Sequence, residues 1–417
     1  MQPFKEKVLG ILRWTEQHTK TDMVYLTKGG FWLFAGYLAQ AVSGLVLVIA
    51  FTNLVSKETY GTYQFVMSGA AILTAFTLSG MWNALSRSVA KGSDGVLPYA
   101  FKKQFTWNIG IVIAGIVTAV YYFIKNDISL AIAFLIAGAF EALISGFSLY
   151  KPFLIGKERF KESTMLGLWR KPLPVIAMLI SLFFTNDPVV LVFIYFVTNA
   201  ISTGLLYLLV RRRYPAPLTE DTELVSYSKH LSIAGLANRI TANVDTIVVF
   251  HFLGATAAAT YGLALFPISH FDSIFGLTGS LVLPKFARQN LSALRESLPR
   301  KALLFLLFII ATVVLYIALA PYVFGALFPA YPEAVALTQL MVLAILMKPR
   351  ALFEHVFVAQ GMKGSLHITR TSTAILKVVL LLTLVPLYGL SGAVGALIAT
   401  HLYAAIITAI LFYLHAK

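Results

Sequence analysis

Ionisable side chains inside apolar stretches of this chain are the first candidates for chemistry. Six basic residues lie in such stretches, at Arg239, Lys377, Arg350, Lys348, Arg170 and Lys171. Four acidic residues and one histidine do the same, at Asp245, Glu141, Asp272, Glu354 and His270. An ionisable group in hydrocarbon costs at least about 2.5 kcal/mol, so it normally faces a protein interior or a watery cavity. We therefore treat these eleven residues as the candidate site.

Arginine and lysine at such depth indicate an anionic ligand. The planar fork of arginine makes paired, charge-assisted bonds to phosphate, whereas lysine acts as a point charge. We interpret the six cations as candidate phosphate ligands, and the acids with His270 as candidate acceptors of protons or Na⁺. A structural interpretation stays open: Arg350 and Glu354 have the spacing of a helical ion pair, and Arg170 and Lys171 lie near a span end, where they can reach lipid head groups.

The composition predicts that lipid is the solvent for most of the chain. Of 417 residues, 58% are hydrophobic and only 12% are charged, whereas about a quarter of a soluble protein is charged. Apolar stretches recur that are long enough to cross roughly 30 Å of hydrocarbon as helices. Strands would alternate polar and apolar residues, but residues 302–320 are apolar on every face. The sequence predicts an all-α polytopic membrane protein.

Hydropathy places about twelve transmembrane helices on the chain. The predicted spans are 30–54, 61–84, 105–124, 129–150, 164–184, 189–210, 230–252, 259–282, 302–325, 334–360, 366–385 and 392–414. Of the 33 Lys and Arg residues, 25 fall on one side of these spans, 2 on the other and 6 inside them. Basic residues mark the cytoplasmic side, so we expect both termini in the cytoplasm of a bacterial or archaeal plasma membrane. The formal charge of +15 is then explained without nucleic acid as a partner.

Several chemistries have no motif in the sequence. There is no cysteine, which excludes disulfides and thiol catalysis. There is no Gly-rich loop ending in Gly-Lys-Ser/Thr and no His-Glu-x-x-His, so we expect no cofactor, no metal and no ATP hydrolysis by that route. Energy would come from an H⁺ or Na⁺ gradient or from consumption of the product.

A polar break and an internal match divide the chain into two halves. We predict a cytoplasmic amphipathic segment over 1–28, an N-lobe of six spans over 29–213, a cytoplasmic linker over 214–228 and a C-lobe of six spans over 229–417. At an offset of 201, residues 28–87 match 229–288 with 12 identities in 60 positions, against about one in ten by chance; coincidence between apolar helices is the alternative. Six spans per half would give both halves one orientation, the parallel-repeat design of several transporters.

Short motifs along nearly the whole chain resemble those of one family. They are Gly29-Gly30-Phe31-Trp32, Tyr60-Gly61-Thr62-Tyr63-Gln64, Asn243-Val244-Asp245-Thr246, Phe252-Leu253-Gly254, Tyr261-Gly262, Leu327-Phe328-Pro329-Ala330-Tyr331 and Pro386-Leu387-Tyr388-Gly389-Leu390-Ser391-Gly392-Ala393. In these motifs the chain resembles the polysaccharide flippases of the multidrug/oligosaccharidyl-lipid/polysaccharide (MOP) exporter superfamily, particularly the O-antigen flippases.

The resemblance implies a MATE/MOP-like fold with a V-shaped pair of lobes and a cavity lined mainly by helices 1, 2, 7 and 8. It implies export of an undecaprenyl-pyrophosphate-linked oligosaccharide by alternating access, for surface polysaccharide and lipopolysaccharide biosynthesis, and no enzyme activity. The lipid-linked oligosaccharide and membrane lipids are then the expected partners, with a polysaccharide polymerase and chain-length proteins as further candidates. Under this interpretation the candidate cations hold the pyrophosphate.

Three other functions stay open. An ion-coupled multidrug exporter of the same superfamily would favour an acidic cavity for cationic substrates, whereas the ionisable residues in the spans here lean basic. A membrane-embedded polysaccharide-assembly enzyme generally needs a sizeable loop outside the membrane, and the predicted outer loops are only a few residues long. A scaffold without transport activity would not need so many charges inside the membrane.

Overall fold

The protein is helical throughout the part that its structure, a computed structural model, describes: residues 23–276, 282–283, 286 and 289–415. No strand occurs among these residues. The predicted amphipathic segment 1–28 lies outside them, except for its last six residues, which already belong to the first helix. That helix therefore begins at Met23, seven residues before the predicted span.

Sixteen α-helices follow one another along the described chain. In the first half they are α1 Met23–Leu54, α2 Lys57–Leu73, α3 Met81–Ala90, α4 Val96–Trp107, α5 Ile109–Ile124, α6 Ile128–Phe147, α7 Tyr150–Gly156, α8 Phe160–Trp169, α9 Pro172–Leu182 and α10 Pro188–Arg213. In the second half they are α11 Thr222–Leu253, α12 Ala255–Gly276, α13 Leu291–Leu327, α14 Pro332–Met341, α15 Arg350–Ala359 and α16 Lys363–His415.

These helices account for the predicted twelve crossings of a multi-pass membrane protein. Within the described residues, seven helical segments are long and apolar enough to span a membrane, and two bent helix pairs raise the number to nine. Helix α16 is long enough for two crossings. The remaining two crossings are α11 and α12, which carry many of the charged and polar residues of the candidate site and are therefore less apolar than the other spans.

Helix α16 turns back on itself at Gly389. Gly389 has φ 61° and ψ −139°, a conformation that favours glycine because it has no Cβ. A Cβ on Gly392 would lie 2.0 Å from the carbonyl oxygen of Leu384. In a straight helix, residues eight apart are separated by about 12 Å, so the two segments must fold together here. The predicted outer turn at 386–391 is confirmed as the position of this reversal.

The segment between the two halves is shorter than predicted. Helix α10 ends at Arg213 and α11 begins at Thr222, where the sequence predicted a linker to 228. Asp221 explains why α11 starts early. It is the N-cap residue, and its carboxylate accepts a hydrogen bond from Leu224 N in the first turn of the helix. The segment docks on the first half: Thr219 N donates to Gly95 O, and Ser88 Oγ donates to Asp221 Oδ2 over 2.7 Å.

Two crossings are broken near the middle. The segment Lys57–Phe76 and helix α3 meet at 56°, with a 3₁₀ turn at Thr74–Phe76. The segment Pro332–Met347 and helix α15 meet at 42°, across Lys348 and Pro349. Pro349 accounts for the second bend, since proline removes a helical hydrogen bond.

The helix bounds agree with the internal match at an offset of 201. When 201 is added to the residue numbers of the first half, the end of α1 falls two residues from the end of α11. The start of α2 falls three residues from the start of α12. Helices α2 and α12 also cross in close contact: a Cβ on Gly61 would lie 1.7 Å from Ala255 O, and one on its equivalent Gly262 would lie 3.1 Å from the Gln64 side chain. The two glycines therefore allow the halves to meet near the predicted outer side.

Candidate functional site

Arg239 reaches from α11 into a polar pocket at the break between α2 and α3. Its guanidinium donates long hydrogen bonds to Thr74 Oγ1, 3.3 Å away, and to Ser79 O, 3.4 Å away. The pocket has a volume of about 190 Å³, and Glu141 of α6 is also on its wall. Among the described residues, no acidic side chain lies within 4 Å of the Arg239 guanidinium. Arg239 is exposed, so its charge is available to a ligand.

A buried amide network fixes the broken segment beside this pocket. Gln104 Nε2 donates to Thr77 Oγ1 and to Ser145 Oγ, both over 3.1 Å. Asn108 accepts a hydrogen bond from Thr77 and donates to Ala142 O over 2.6 Å. Gln104 Oε1 is buried and has no partner. An unpaired buried acceptor is costly, so this oxygen is a candidate acceptor for a donor that enters the pocket.

Arg170 and Lys171 lie at the break between α8 and α9. Pro172 and Pro174 follow directly, and neither has the backbone N–H that would continue the helical hydrogen bonds across the break. Arg170 interacts electrostatically with Glu141 and with Lys171. Neither cation forms an ion pair within 4 Å among the described side chains. The break therefore presents two half-buried cations, of which Arg170 lies close enough to act on Glu141, a residue that lines the pocket of Arg239.

Asp245 and Lys377 form a buried ion pair between α11 and α16. Lys377 Nζ lies 3.3 Å from Asp245 Oδ2 and donates to Thr241 O over 2.6 Å. The same carboxylate oxygen accepts from Tyr261 OH over 3.1 Å. The exposed fraction of the Asp245 side chain is 4%. Asp245 is therefore already neutralised from within the protein, and Lys377 already has a counter-ion.

A second cluster of charged residues lies around the break before α15. Lys348 Nζ lies 2.8 Å from Asp272 Oδ1, and Arg350 pairs with Glu354 one helical turn later. This contact matches the structural interpretation of the Arg350 and Glu354 spacing. His401 of α16 interacts electrostatically with Lys348, Arg350 and Asp272. In this region Lys348 and Arg350 therefore each lie against a carboxylate, on α12 and on α15 respectively.

His270 is held in the packing between α1 and α12. Its Nδ1 lies 2.9 Å from Phe266 O in its own helix, and its backbone oxygen accepts from Tyr37 OH over 3.0 Å. Its ring centroid lies 4.4 Å from that of Phe266. His270 is therefore a hydrogen-bonded residue in the packing between helices, and its backbone contact with Tyr37 joins the two halves.

An ion pair that the sequence analysis did not anticipate joins the halves at the predicted outer side. Lys57 Nζ, at the start of α2, lies 2.5 Å from Glu333 Oε1, at the start of α14. Burial acts to raise the pKa of Glu333, but the hydrogen bond and charge of Lys57 outweigh it, so the pKa lies below its ordinary value. Nearby, Asn53 Nδ2 donates to Leu327 O over 2.9 Å. Both contacts close the gap between α1, α2 and the second half.

The structure separates the candidate residues into paired and unpaired groups. Lys377, Lys348 and Arg350 have carboxylate partners, whereas Arg239, Arg170 and Lys171 have none within 4 Å in the described part of the chain. Sequence reasoning missed the amide network. Its signal was the pair Gln104 and Asn108, four residues apart at the start of an apolar span. No three His, Asp or Glu side chains of the described residues cluster as metal ligands would.

Comparison with known proteins places this geometry in a family. A family model described as "Polysaccharide biosynthesis protein" matches residues 26–290. The structure is similar to an inward-facing multidrug resistance MATE family transporter of the MOP superfamily, with a TM-score of 0.72 and 14% identity over 90% of this chain and 94% of that one. It is also similar to the lipid II flippase MurJ in an inward closed conformation, with a TM-score of 0.69 and 15% identity over 92% and 87%.

A third similar structure is a MOP superfamily transporter from Pyrococcus furiosus Vc1 (DSM3638), with a TM-score of 0.61 and 13% identity over 94% and 95% of the two chains. Comparison with proteins of curated function found no match. At these identities the solved structures establish the fold alone. Because the family model spans more than half of the sequence, the chain belongs to the polysaccharide biosynthesis protein family, and it has the two-lobed helical fold of the MOP superfamily.

Proposed function

We propose that this protein is a flippase for an undecaprenyl-pyrophosphate-linked oligosaccharide. It would carry the lipid from the cytoplasmic to the outer leaflet of the plasma membrane by alternating access between the two lobes, for surface polysaccharide biosynthesis. The family match and the MOP fold support membrane transport in polysaccharide assembly. The substrate and the leaflets are the proposal's own addition.

The unpaired state of Arg239 is the observation that carries this proposal. The other three candidate cations of the second half, Lys377, Lys348 and Arg350, each lie against a carboxylate. Arg239 instead lies in a polar pocket with only a hydroxyl and a carbonyl oxygen as partners. A guanidinium without a counter-ion inside a membrane protein is suited to bind a phosphate, which accepts two parallel hydrogen bonds from its fork.

The surroundings of Arg239 support an accessible site. Between Ile233 and Arg239, every residue of α11 is exposed or half-buried, and a Cβ added to Gly235 would have no atom within 4 Å. Arg170 adds positive charge near Glu141, which lines the same pocket, and Lys171 lies next to Arg170. In this arrangement Arg239 binds the pyrophosphate, and Arg170 and Lys171 attract it from the predicted cytoplasmic side.

The contacts between the halves support alternating access. Gly61 against Ala255, Lys57 against Glu333 and Asn53 against Leu327 hold the predicted outer side closed. The contacts of Lys57 with Glu333 and of Asn53 with Leu327 are exposed polar contacts, which separate at modest cost. We expect them to open when the lobes rock.

Cation export is the second candidate function, and the paired acids argue against it. A cationic drug needs a free carboxylate, but Asp245, Asp272 and Glu354 each lie against a lysine or arginine. Among the four acidic candidates in the described chain, only Glu141 has no cation within 4 Å. It still interacts electrostatically with Arg170. The remaining charge of the pocket therefore favours an anion.

Arg239→Gln tests the proposal. In nanodiscs, we expect this variant to bind a polyprenyl pyrophosphate at least about tenfold more weakly, the cost of one charge-assisted contact of about 1.5 kcal/mol or more. Arg239→Lys should recover part of the affinity because it keeps the charge. Arg212→Gln, at the exposed end of α10, is the matched control and should bind as the wild type does. Equal affinity of wild type and Arg239→Gln would refute the assignment of the head-group site.

A further inference from the structure

An apolar groove adjoins the pocket of Arg239. It has a volume of about 590 Å³, within the range of about 300–1,000 Å³ that small-molecule sites occupy. Helix α2 and helix α5 form its two walls, Phe134 of α6 and Ile247 of α11 complete it, and nearly all its lining side chains are apolar. Phe76 and Ile113 are about half exposed, at 51% and 55%, so the groove is open along its length.

The groove and the pocket share the broken segment of α2. Leu73 and Phe76 lie on the groove, whereas Thr74 and Thr77, the residues next to them, lie on the pocket. Helix α11 also contributes to both, through Ile247 and Arg239. These two residues are eight positions apart, or about 12 Å along a helix. One ligand with a polar and an apolar part can therefore contact both cavities.

The order of lining residues along three helices shows which of the two cavities lies nearer the predicted outer side. Helices α2 and α6 run from the predicted outer side inward. Apart from Phe76 at the junction, their groove residues precede their pocket residues: Phe65 precedes Thr74, and Phe134 precedes Glu141. Helix α11 runs outward, and Ile247 follows Arg239. The groove therefore lies on the outer side of the pocket. A lipid of the inner leaflet has this orientation, with its head group on the inner side and its chain directed outward.

The second half of the chain contains an equivalent groove without the cation. It lies between α1, α12 and α13 and uses Phe266 and Ile274, the equivalents of Phe65 and Leu73 at the offset of 201. The equivalent of Arg239 is Leu38. An apolar groove is thus present in both halves, but only the first half joins it to an unpaired arginine. This difference makes the first groove suited to an amphiphilic ligand with an anionic head group.

We propose that the groove between α2 and α5 holds the polyprenyl chain of the lipid whose pyrophosphate binds Arg239. This inference rests on the proposed function, and it adds where the lipid tail lies during loading. Phe76, at the junction of the two cavities, would contact the first carbons after the pyrophosphate. Ile113 and Val117 of α5 would contact carbons further along the chain.

Two isoleucines one turn apart on α5 provide a matched test. Ile113 lies in the groove, whereas Ile116 is exposed at 46% and lies outside it. The probes are undecaprenyl pyrophosphate and a short-chain prenyl pyrophosphate, titrated into nanodiscs that contain Ile113→Trp, Ile116→Trp or Arg239→Gln. Because tryptophan fills the groove and displaces chain carbons, Ile113→Trp should weaken binding of the long-chain probe by about tenfold. It should leave the short-chain probe unaffected, and Ile116→Trp should change neither.

The outcomes separate the two proposals. If Arg239→Gln weakens both probes but Ile113→Trp weakens neither, the tail groove is wrong and the head-group site stands. If Arg239→Gln changes the affinity for neither probe, Arg239 is not the head-group site and the proposed function is contradicted at that point. A diazirine in the chain of the long probe gives a second readout, which does not depend on the fold of a variant. Its crosslinks should map to α2 and α5 of the wild type, and labelling of other helices alone would mean that only bulk phospholipid fills the groove.

Discussion

Lys377 Nζ lies 3.3 Å from Asp245 Oδ2, and this contact joins α11 to α16 inside the membrane. The sequence analysis gave the two residues separate roles, with Lys377 on a pyrophosphate and Asp245 on a proton or Na⁺. Their contact makes each the counter-ion of the other. Tyr261 OH adds a hydrogen bond to the carboxylate. The pair can therefore hold the two helices together, and a substrate must compete with Asp245 for the ammonium group.

Removal of one partner of this pair should destabilise the protein strongly. Lys377→Met leaves Asp245 buried without a counter-ion, which costs about 3–5 kcal/mol for a buried pair. The double variant Lys377→Met with Asp245→Asn removes both charges and should recover most of that loss. Thermal unfolding in detergent measures both effects. A stable Lys377→Met protein that no longer binds polyprenyl pyrophosphate would contradict the pair account and return Lys377 to the substrate site.

The contact of Lys57 with Glu333 should make closure of the predicted outer side sensitive to acid. The pKa of Glu333 is lower in the folded protein than its ordinary value of 4.5. The stabilisation is therefore fully present above about pH 4.5 and is lost as the pH falls through the lower folded-state pKa. Since the Glu333 side chain is 44% exposed, the effect is small, at most about 1 kcal/mol.

Thiol labelling can measure this pH dependence, because the chain has no cysteine of its own. A single Gln64→Cys change places a thiol where α2 faces Gly262. Because the thiolate is the species that reacts, every labelling rate falls as the pH falls, so the measured quantity is the rate with Glu333 present divided by the rate with Glu333→Gln added. With a reagent that cannot cross the membrane, this ratio should be below one at neutral pH and should rise towards one as the outer pH falls below about 4.5. The same pH profile in both backgrounds would rule out the contact as the cause.

Gly61 should be intolerant of a side chain. A Cβ there would lie 1.7 Å from Ala255 O, so Gly61→Ala must push α2 away from α12, at a cost of about 1–3 kcal/mol. We expect a lower unfolding temperature and faster labelling of Gln64→Cys. Gly167→Ala is the matched control, because no atom lies within 4 Å of its Cβ position. Equal behaviour of the two alanine variants would show that the halves do not meet at Gly61.

Much of the fold could be predicted because the membrane spans follow from the lengths of the apolar stretches and from the distribution of lysine and arginine between them. Both are properties of the local sequence. The reversal at Gly389 was readable for the same reason, because it lies in the gap between the predicted spans 366–385 and 392–414. The start of α11 was not, because hydropathy does not respond to the hydrogen bond from Leu224 N to Asp221. The short loops at the predicted outer side, such as Val55 and Ser56, follow from the short gaps between the apolar stretches of the sequence.

The site was predictable as a set of residues but not as a set of contacts. Burial cost alone marks Arg239, Lys377 and Asp245 as unusual. Which of them pair depends on helices far apart in sequence, as with Lys377 and Asp245, 132 residues apart. The ion pair of Lys57 and Glu333 joins residues 276 apart, and neither residue stands out in its own short loop. Only the arrangement in space separates the paired cations from Arg239.

The central claim is that the chain carries a lipid-linked oligosaccharide across the membrane and needs Arg239 to do so. The most direct test is mass spectrometry of polyprenyl-linked glycans from cells that lack the protein, combined with a probe that reacts only with glycans on the outer face. Cells with no protein or with Arg239→Gln should accumulate a complete polyprenyl-pyrophosphate oligosaccharide that the probe cannot reach, and wild-type protein or Arg212→Gln should clear it. Accumulation of unpolymerised units on the outer face, or unchanged lipids, would contradict the account.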